Sequence, residues 1–149
     1  MVKLTVEPMT ENHISALSEI ERDCFSKPWS ENALKAELSN ETSFFFVAEK
    51  NETVCGYIGS HIVLDECYIA NVAVLPDFRK SGVASALIEA LLEKATEKDC
   101  LFVSLEVRKS NSAAISLYNK FGFSLCGERK NFYSEPTENA YIMTKKLKD

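Results

Sequence analysis

The chain has 149 residues, of which 46% are hydrophobic and 26% charged, and this length fits one domain with a sizeable core. No apolar run approaches the roughly 18 residues of a membrane-spanning helix, and charges and a proline interrupt the start of the chain, so no signal peptide is predicted. A net charge of −5 argues against a nucleic-acid surface. We therefore expect a cytoplasmic globular protein with no membrane or nucleic acid as partner.

The cysteines and histidines form no recognisable metal motif. The five cysteines include no C-x-x-C pair, and this favours free, mostly buried thiols. They are Cys24, Cys55, Cys67, Cys100 and Cys126. The two histidines, His13 and His61, lack the clustered spacing of a zinc site, so no metal is expected.

Residue patterns in the first half predict a strand, two helices and then three strands. Short polar turns separate the three strands and imply antiparallel neighbours. The expected bounds are 3–8 for the first strand, Thr10 to about Phe25 for the first helix, a start at Ser30 for the second, and 44–50, 54–63 and 67–74 for the three strands.

The only tryptophan, Trp29, directly precedes the second helix and has two compatible interpretations. With Ser30 as the N-cap, Trp29 can pack on Leu34 as a hydrophobic staple. It can also form a wall of a substrate groove.

The second half alternates helices and strands. A strand over 101–107 buries its odd-numbered residues and turns Glu106 to the other face. The other expected elements are a long helix over 83–95, a helix over 111–120 with Ala113, Ala114, Leu117, Tyr118 and Phe121 on one face, and strands over 123–129 and 140–145. The resulting order β-α-α-β-β-β-α-β-α-β-β predicts an α/β fold with a mixed sheet and helices on its faces.

The loop before the long helix contains the ingredients of a phosphate site. Arg79 and Lys80 add positive charge, Gly82 lets a ligand approach the backbone, and the helix N-terminus offers unpaired N–H groups. Taken alone, these residues are more typical of a plain helix start. Neither the dinucleotide motif G-x-G-x-x-G nor a Walker motif is present.

Taken together, several segments resemble the GCN5-related N-acetyltransferases (GNAT). The segments 71–74 and 76–84 look like that family's acetyl-coenzyme A signature R/Q-x-x-G-x-G/A, and the element order is also the family's. Further segments are similar to the subgroup that acetylates protein N-termini, namely 28–30, 105–108, 111–115, 117–118, 121–123 and 129–133. The likeness covers residues 28–146. It implies a single GNAT domain over 1–149, with about seven strands and four helices, and a coenzyme cleft between two splayed central strands.

The resemblance implies acetyl-CoA as cosubstrate and the N-terminal alanine of a small-subunit ribosomal protein as acceptor. Attack by the amine is expected to be direct, in a ternary complex. Glu106 is then the base, although it could instead be a strand-end residue paired with Arg108. Tyr118 is the general acid of the matching family position, although its spacing also suits an aromatic core residue.

The remaining implied contacts fall on the coenzyme and on the peptide. Trp29 and Tyr133 would face the peptide, and backbone groups of the central strand would bond the pantetheine arm. Asn111 is also a natural N-cap. The implied coenzyme-binding residues are Val72, Ala73, Val74, Arg79, Lys80, Ser81, Gly82, Val83, Ala84, Ser85 and Asn111.

Two other functions remain open from the sequence. One is acetylation of a small amine, such as a polyamine, amino acid or aminoglycoside. The other is a sensor that binds acetyl-CoA without turnover. Acidic residues in two turns, Asp65-Glu66 and Glu135 with Glu138, could favour a basic peptide but are more typical of solvated turns.

Overall fold

The computed structural model describes residues 3–148, so the first two residues of the N-terminal segment and Asp149 lie outside the described range. Within it, the strands are β1 (Leu4–Pro8), β2 (Ser43–Lys50), β3 (Thr53–Val63), β4 (Glu66–Val74), β5 (Phe102–Arg108), β6 (Ser124–Tyr133) and β7 (Glu138–Lys146). The helices are α1 (Ile14–Cys24), α2 (Glu31–Glu37), α3 (Val83–Glu97) and α4 (Ser112–Lys120), with 3-10 turns at Glu11–His13 and Pro76–Phe78. The predicted class and element order are confirmed.

Local capping explains where two of the helices begin. The Ser30 hydroxyl accepts the N–H of Ala33 at 3.1 Å, and the Asn111 side chain accepts the N–H of Ala114 at 3.2 Å. Both side chains satisfy N–H groups that a helix leaves unpaired in its first turn. Thr10 instead precedes the 3-10 turn that leads into α1.

The sheet order is β1-β2-β3-β4-β5-β7-β6. All neighbouring pairs are antiparallel except β4 and β5, which are parallel and pair only from Glu66–Phe102 to Ile69–Leu105. Both strands continue beyond this point, β4 as far as Val74 and β5 as far as Arg108. The sheet therefore opens between its two central strands.

Two cores lie on opposite faces of the sheet. Leu87 and Leu91 of α3 are fully buried against one face. Leu17 of α1 and Leu34 of α2 are fully buried in the other core, which contains Tyr57 of β3. Because α1 packs on β3 and β4, the β5-β7-β6 part of this second face stays open, with a cavity of about 380 Å³.

Helix α4 buries a somewhat different set of residues from the one expected. Tyr118 is buried and Ala114, Ile115 and Leu117 are partly buried, whereas Ala113 is exposed. At about 100° per residue, Ala113 lies roughly 140° away from Tyr118 around the helix, which turns it toward solvent. Among residues 3–148, no helix has the length and apolar character needed to cross a bilayer.

Candidate active site

A β-bulge shapes the opening between β4 and β5. Gly59 of β3 pairs with Asn71, and the next residue, Ser60, pairs with Ile69, so Ala70 has no partner on β3. Such a bulge bends a strand and increases its twist. It lies directly beyond the last β4–β5 pair, where the two strands begin to separate.

The backbone of β4 presents polar groups to this opening. The N–H of Leu75 donates to the carbonyl of Cys55 at 2.8 Å, and peptide groups in an antiparallel ladder alternate between the two edges of a strand. Ala73 therefore bonds toward β3, whereas Val72 and Val74 direct their peptide groups toward the opening. Of the three predicted residues, Ala73 offers no free backbone group there.

The start of α3 has unpaired backbone donors. Gly82 is its N-cap at a φ of 87°, a left-handed conformation that favours glycine, and no described side chain caps this end. The N–H groups of Val83, Ala84 and Ser85 lie in the first turn and lack intrahelical partners. The Val83 side chain is buried in the core, so only its backbone can contact a ligand.

The polar side chains of the preceding loop differ in whether they already form a hydrogen bond within the protein. Arg79 Nε donates to the carbonyl of Val74 at 3.0 Å, so Arg79 braces the loop against the end of β4. The Ser81 hydroxyl donates to the carbonyl of Phe78 in the same loop. Lys80 is exposed.

Glu106 lies one residue beyond the last β4–β5 pair, and its side chain is 32% exposed. Its ion-pair partner is Arg129 of β6, with Nε 3.4 Å from Oε1. The alternative that paired Glu106 with Arg108 is wrong. Arg108 turns toward Glu138, whose carboxylate lies 3.2 Å away.

Tyr133 lies near Glu106, and Tyr118 lies near Tyr133. Tyr118 is 6% exposed and packs on Phe123, and burial, with a smaller contribution from Tyr133, raises its pKa. Burial first, and then the charge of Glu106, raises the pKa of Tyr133 to about 12. The structure thus brings together three predicted site residues from β5, α4 and β6, and both phenols keep their protons at neutral pH.

Arg108 organises the turn between β6 and β7. Its guanidinium lies 4.5 Å from the ring centre of Tyr133. It also donates to the carbonyls of Pro136 and Ser134, at 2.9 and 3.3 Å, besides its ion pair with Glu138. One planar side chain therefore fixes both Tyr133 and the turn that follows it.

The segment between α1 and α2 meets this turn. The Ser26 hydroxyl donates to the carbonyl of Glu135 at 2.9 Å, and Lys27 Nζ donates to the Ser134 hydroxyl at 2.9 Å. Trp29, in the same segment, is partly buried against the ring of Phe45, with 6.2 Å between ring centres. Trp29 therefore packs against the core that contains Leu34, and its predicted staple contact with Leu34 itself stays a prediction.

A buried polar cluster behind this segment was missed by sequence reasoning. Glu21 is 1% exposed and accepts the N–H of Trp29 and the hydroxyl of Tyr57, each at 2.8 Å. Asn71 Nδ2 donates to the Tyr57 oxygen at 2.9 Å. The available signal was the position of Glu21, one turn after the core residue Leu17 in a helix whose apolar face is otherwise regular.

A second cluster joins one imidazole and two carboxylates. Ligand atoms of Glu7, His13 and Glu49 lie within 4.8 Å of one another. The backbone N–H of Thr10 donates to Nδ1 of His13, so in the neutral ring Nε2 carries the proton and donates to Glu7 at 3.0 Å. Spacing along the chain did not reveal this group because pairing of β1 with β2 assembles it.

The fold and the cleft define an acetyltransferase of the GNAT class. The chain matches the Acetyltransferase (GNAT) family over residues 14–123, and it belongs to that family.

Relatives of similar sequence carry more particular names. The [Ribosomal protein bS18]-alanine N-acetyltransferase of Escherichia coli K12 is 33% identical over 93% of this chain and 95% of its own. A Bacillus subtilis protein that carries a provisional form of the same name is 38% identical over 95% of this chain and 94% of its own. The crystal structure of the E. coli ribosomal-protein-S18-alanine N-acetyltransferase superposes with a TM-score of 0.90 at 30% identity, covering 99% of this chain and 96% of that one.

Proposed function

We propose that this protein transfers the acetyl group of acetyl-CoA to the N-terminal α-amine of a protein, with the N-terminal alanine of ribosomal protein bS18 as acceptor. The observation that carries the proposal is the β4–β5 opening, with Glu106 at its edge and Tyr118 and Tyr133 in its neighbourhood. The names of the relatives support the choice of acceptor.

Acetyl-CoA would bind along β4 and the start of α3. The peptide groups of Val72 and the N–H of Val74, whose carbonyl already accepts from Arg79, would bond the pantetheine arm and polarise the thioester carbonyl. The N–H groups at 83–85, at the positive end of the helix dipole, would bind the pyrophosphate, with exposed Lys80 adding charge. Arg79 contributes by holding the loop, and Asn111 remains a proposed coenzyme contact besides its capping role.

Glu106 would accept the proton of the attacking amine, directly or through water. An N-terminal amine has a pKa of about 7.7–8.0, so roughly a tenth is already neutral at pH 7, whereas a lysine amine with a pKa near ~10.4 is almost wholly charged. One carboxylate is therefore a sufficient base for an α-amine. The nitrogen bonds to the thioester carbon, and the resulting intermediate releases the coenzyme thiolate as the C–S bond breaks.

Tyr118 would return a proton to the departing thiolate. Its raised pKa keeps it protonated at neutral pH, so the donor is always present. A phenol is a weaker acid than a thiol of pKa about 8.5, so transfer depends on close placement of the hydroxyl rather than on its acidity. Among residues 3–148, no residue forms a hydrogen bond with this hydroxyl. Every fully buried polar side-chain atom in that range has a partner, so the unpartnered hydroxyl is not fully buried and is accessible.

Thiol release from acetyl-CoA tests the acceptor. The panel is a peptide with a free N-terminal alanine, its N-blocked twin with an internal lysine, and spermidine. We expect transfer to the free α-amine alone. Transfer only to spermidine would assign the protein to small amines instead, and coenzyme binding without any transfer would identify a sensor.

Two substitutions test the chemical roles. Glu106→Gln and Tyr118→Phe should each lower kcat by about 10²-fold or more while leaving the Kd for acetyl-CoA unchanged. Glu128→Gln, which removes an exposed carboxylate of β6, should leave kcat unchanged and serves as the matched control. A full rate for Glu106→Gln would contradict its assignment as the base.

A further inference from the structure

Asn71 and Glu106 flank the β4–β5 opening on the same face of the sheet. Tyr68 pairs with Ser104, and Glu106, two residues after Ser104, shares its face. On β4 the unpaired Ala70 shifts the alternation, which returns the next residue, Asn71, to the face of Tyr68. Asn71 and Glu106 therefore lie on the two sides of the opening with their side chains on one face of the sheet.

A chain of hydrogen bonds fixes the orientation of the Asn71 amide. As a carboxylate, Glu21 can only accept, so the single proton of the Tyr57 hydroxyl points to it at 2.8 Å. The Tyr57 oxygen can then only accept, and it takes Asn71 Nδ2 at 2.9 Å. The raised pKa of Tyr57, caused by burial and by Glu21, keeps that proton in place.

This orientation leaves the Asn71 side-chain oxygen free. Among residues 3–148, Oδ1 has no hydrogen-bond donor, and Asn71 is only partly buried. Every fully buried polar side-chain atom among the described residues has a partner. Oδ1 has none, so it is not fully buried and is accessible. A carbonyl oxygen at this place can accept one N–H of an amine whose remaining proton goes to Glu106.

We propose that Asn71 Oδ1 binds the acceptor amine beside Glu106, and that Glu21 and Tyr57 are positioning residues that hold the Asn71 amide with its oxygen toward the amine. The inference deepens the proposed function and rests on it. One hydrogen bond from the amine to Oδ1 would orient the nitrogen lone pair toward the thioester carbon. The Glu21 carboxylate also holds the Trp29 backbone, so the same group fixes the adjacent wall of the acceptor site.

The test is a double-mutant cycle measured with the free N-terminal alanine peptide. Asn71→Ala should lower kcat/KM for the peptide about tenfold and leave the Kd for acetyl-CoA unchanged. Tyr57→Phe should lower it several-fold, because the amide then loses its 2.9 Å acceptor and keeps only the 3.5 Å contact of Nδ2 with Glu21 Oε2, so it flips more easily. If Tyr57 acts through Asn71, the double variant is no slower than Asn71→Ala alone.

Glu21→Gln provides a second route that does not depend on the Tyr57 variant folding. A glutamine amide can donate to the Tyr57 oxygen and release the hydroxyl proton toward Asn71, which favours the flipped amide. The expected loss is again several-fold and absent in an Asn71→Ala background. Ser60→Ala, which removes a buried 2.8 Å hydrogen bond on the same strand β3, is the control and should leave kcat/KM unchanged.

The outcomes separate this inference from the proposed function. A wild type that acetylates the free N-terminus but is insensitive to Asn71→Ala overturns the inference alone, as do additive losses in the cycle. A wild type that acetylates only spermidine or lysine overturns the proposed acceptor, and the same cycle is then run with that amine. Transfer to no amine overturns both.

Discussion

The ion pair of Glu106 with Arg129 is too weak to explain why a carboxylate lies at this point of the sheet. Its atoms are 3.4 Å apart, and the two side chains are 32% and 57% exposed. Half-exposed pairs of this kind contribute about 0–1 kcal/mol to stability. The ion pair therefore gives Glu106 only a small structural role, which leaves its carboxylate available for the proposed role as the base.

Arg108 is the side chain whose replacement best tests the acceptor side of the site. Arg108→Lys keeps the charge but loses the planar fork that binds two carbonyls and stacks on Tyr133. We expect the peptide KM to rise about tenfold with the acetyl-CoA Kd unchanged, and the free energy of unfolding to fall by about 1–3 kcal/mol. Steady-state kinetics and urea unfolding measure the two effects, and an unchanged peptide KM would show that the turn after Tyr133 does not contact the acceptor.

Two helices of this protein begin at a capping side chain, whereas α1 and α3 begin without one. Side chains of Ser30 and Asn111 cap α2 and α4, whereas α3 begins at Gly82 with no described side chain on its first N–H groups. A capping side chain would occupy the donors that the proposed pyrophosphate site needs. Of the uncapped helices, α3 is the one that starts at the proposed coenzyme loop.

Gly82→Ala tests this arrangement. An added Cβ meets no atom within 4 Å, but a φ of 87° is strained for alanine, so the first turn of α3 should shift. We expect a stability loss of about 1 kcal/mol and an acetyl-CoA Kd about tenfold weaker, measured by urea unfolding and calorimetry. Ala90→Gly, in the middle of α3, should cost a similar stability without changing the Kd. Equal weakening in both variants would indicate general loosening of the helix.

The folded protein buries several thiols and phenols, and its stability depends on these groups keeping their protons. Cys67 is fully buried, and this burial, with a smaller contribution from Cys100, raises its pKa from 9.0 to about 12. The folded state therefore keeps a proton that the unfolded chain loses above pH 9. Its contribution is complete below pH 9 and is lost as the pH rises toward 12.

We expect the free energy of unfolding to fall by up to about 1.4 kcal/mol per pH unit from this group above pH 9. Urea unfolding at pH 8, 9 and 10 measures the slope. Cys67→Ala should reduce the slope whatever its effect on absolute stability, and Cys126→Ala, which removes an exposed thiol, should not. An identical slope in Cys67→Ala would assign the alkaline loss to the other groups whose pKa burial raises, namely the thiols of Cys24, Cys55 and Cys100 and the buried tyrosines.

Periodicity and caps were enough to place the elements, because both are properties of neighbouring residues. The spacing of apolar residues located α3, and Ser30 and Asn111 marked the starts of α2 and α4. The strand bounds differ mainly at β6, predicted to end at 129 but continuing to Tyr133. The ion-pair partners of charged groups do not follow from neighbouring residues. For that reason the sequence suggests Glu106 as the partner of Arg108, whereas the structure pairs Arg108 with Glu138.

The chain's local chemistry sets the class of fold, the order of its elements, and the residue types that suit acetyl transfer to an amine. The arrangement of those residues depends on contacts between distant segments. Glu21 and Asn71 are 50 positions apart, and the packing of α1 on the sheet, together with the bulge at Ala70, brings them together. A hydrogen bond carries no trace in the sequence when its partners belong to different elements, so the link between Glu21, Tyr57 and Asn71 emerges only once the sheet is assembled.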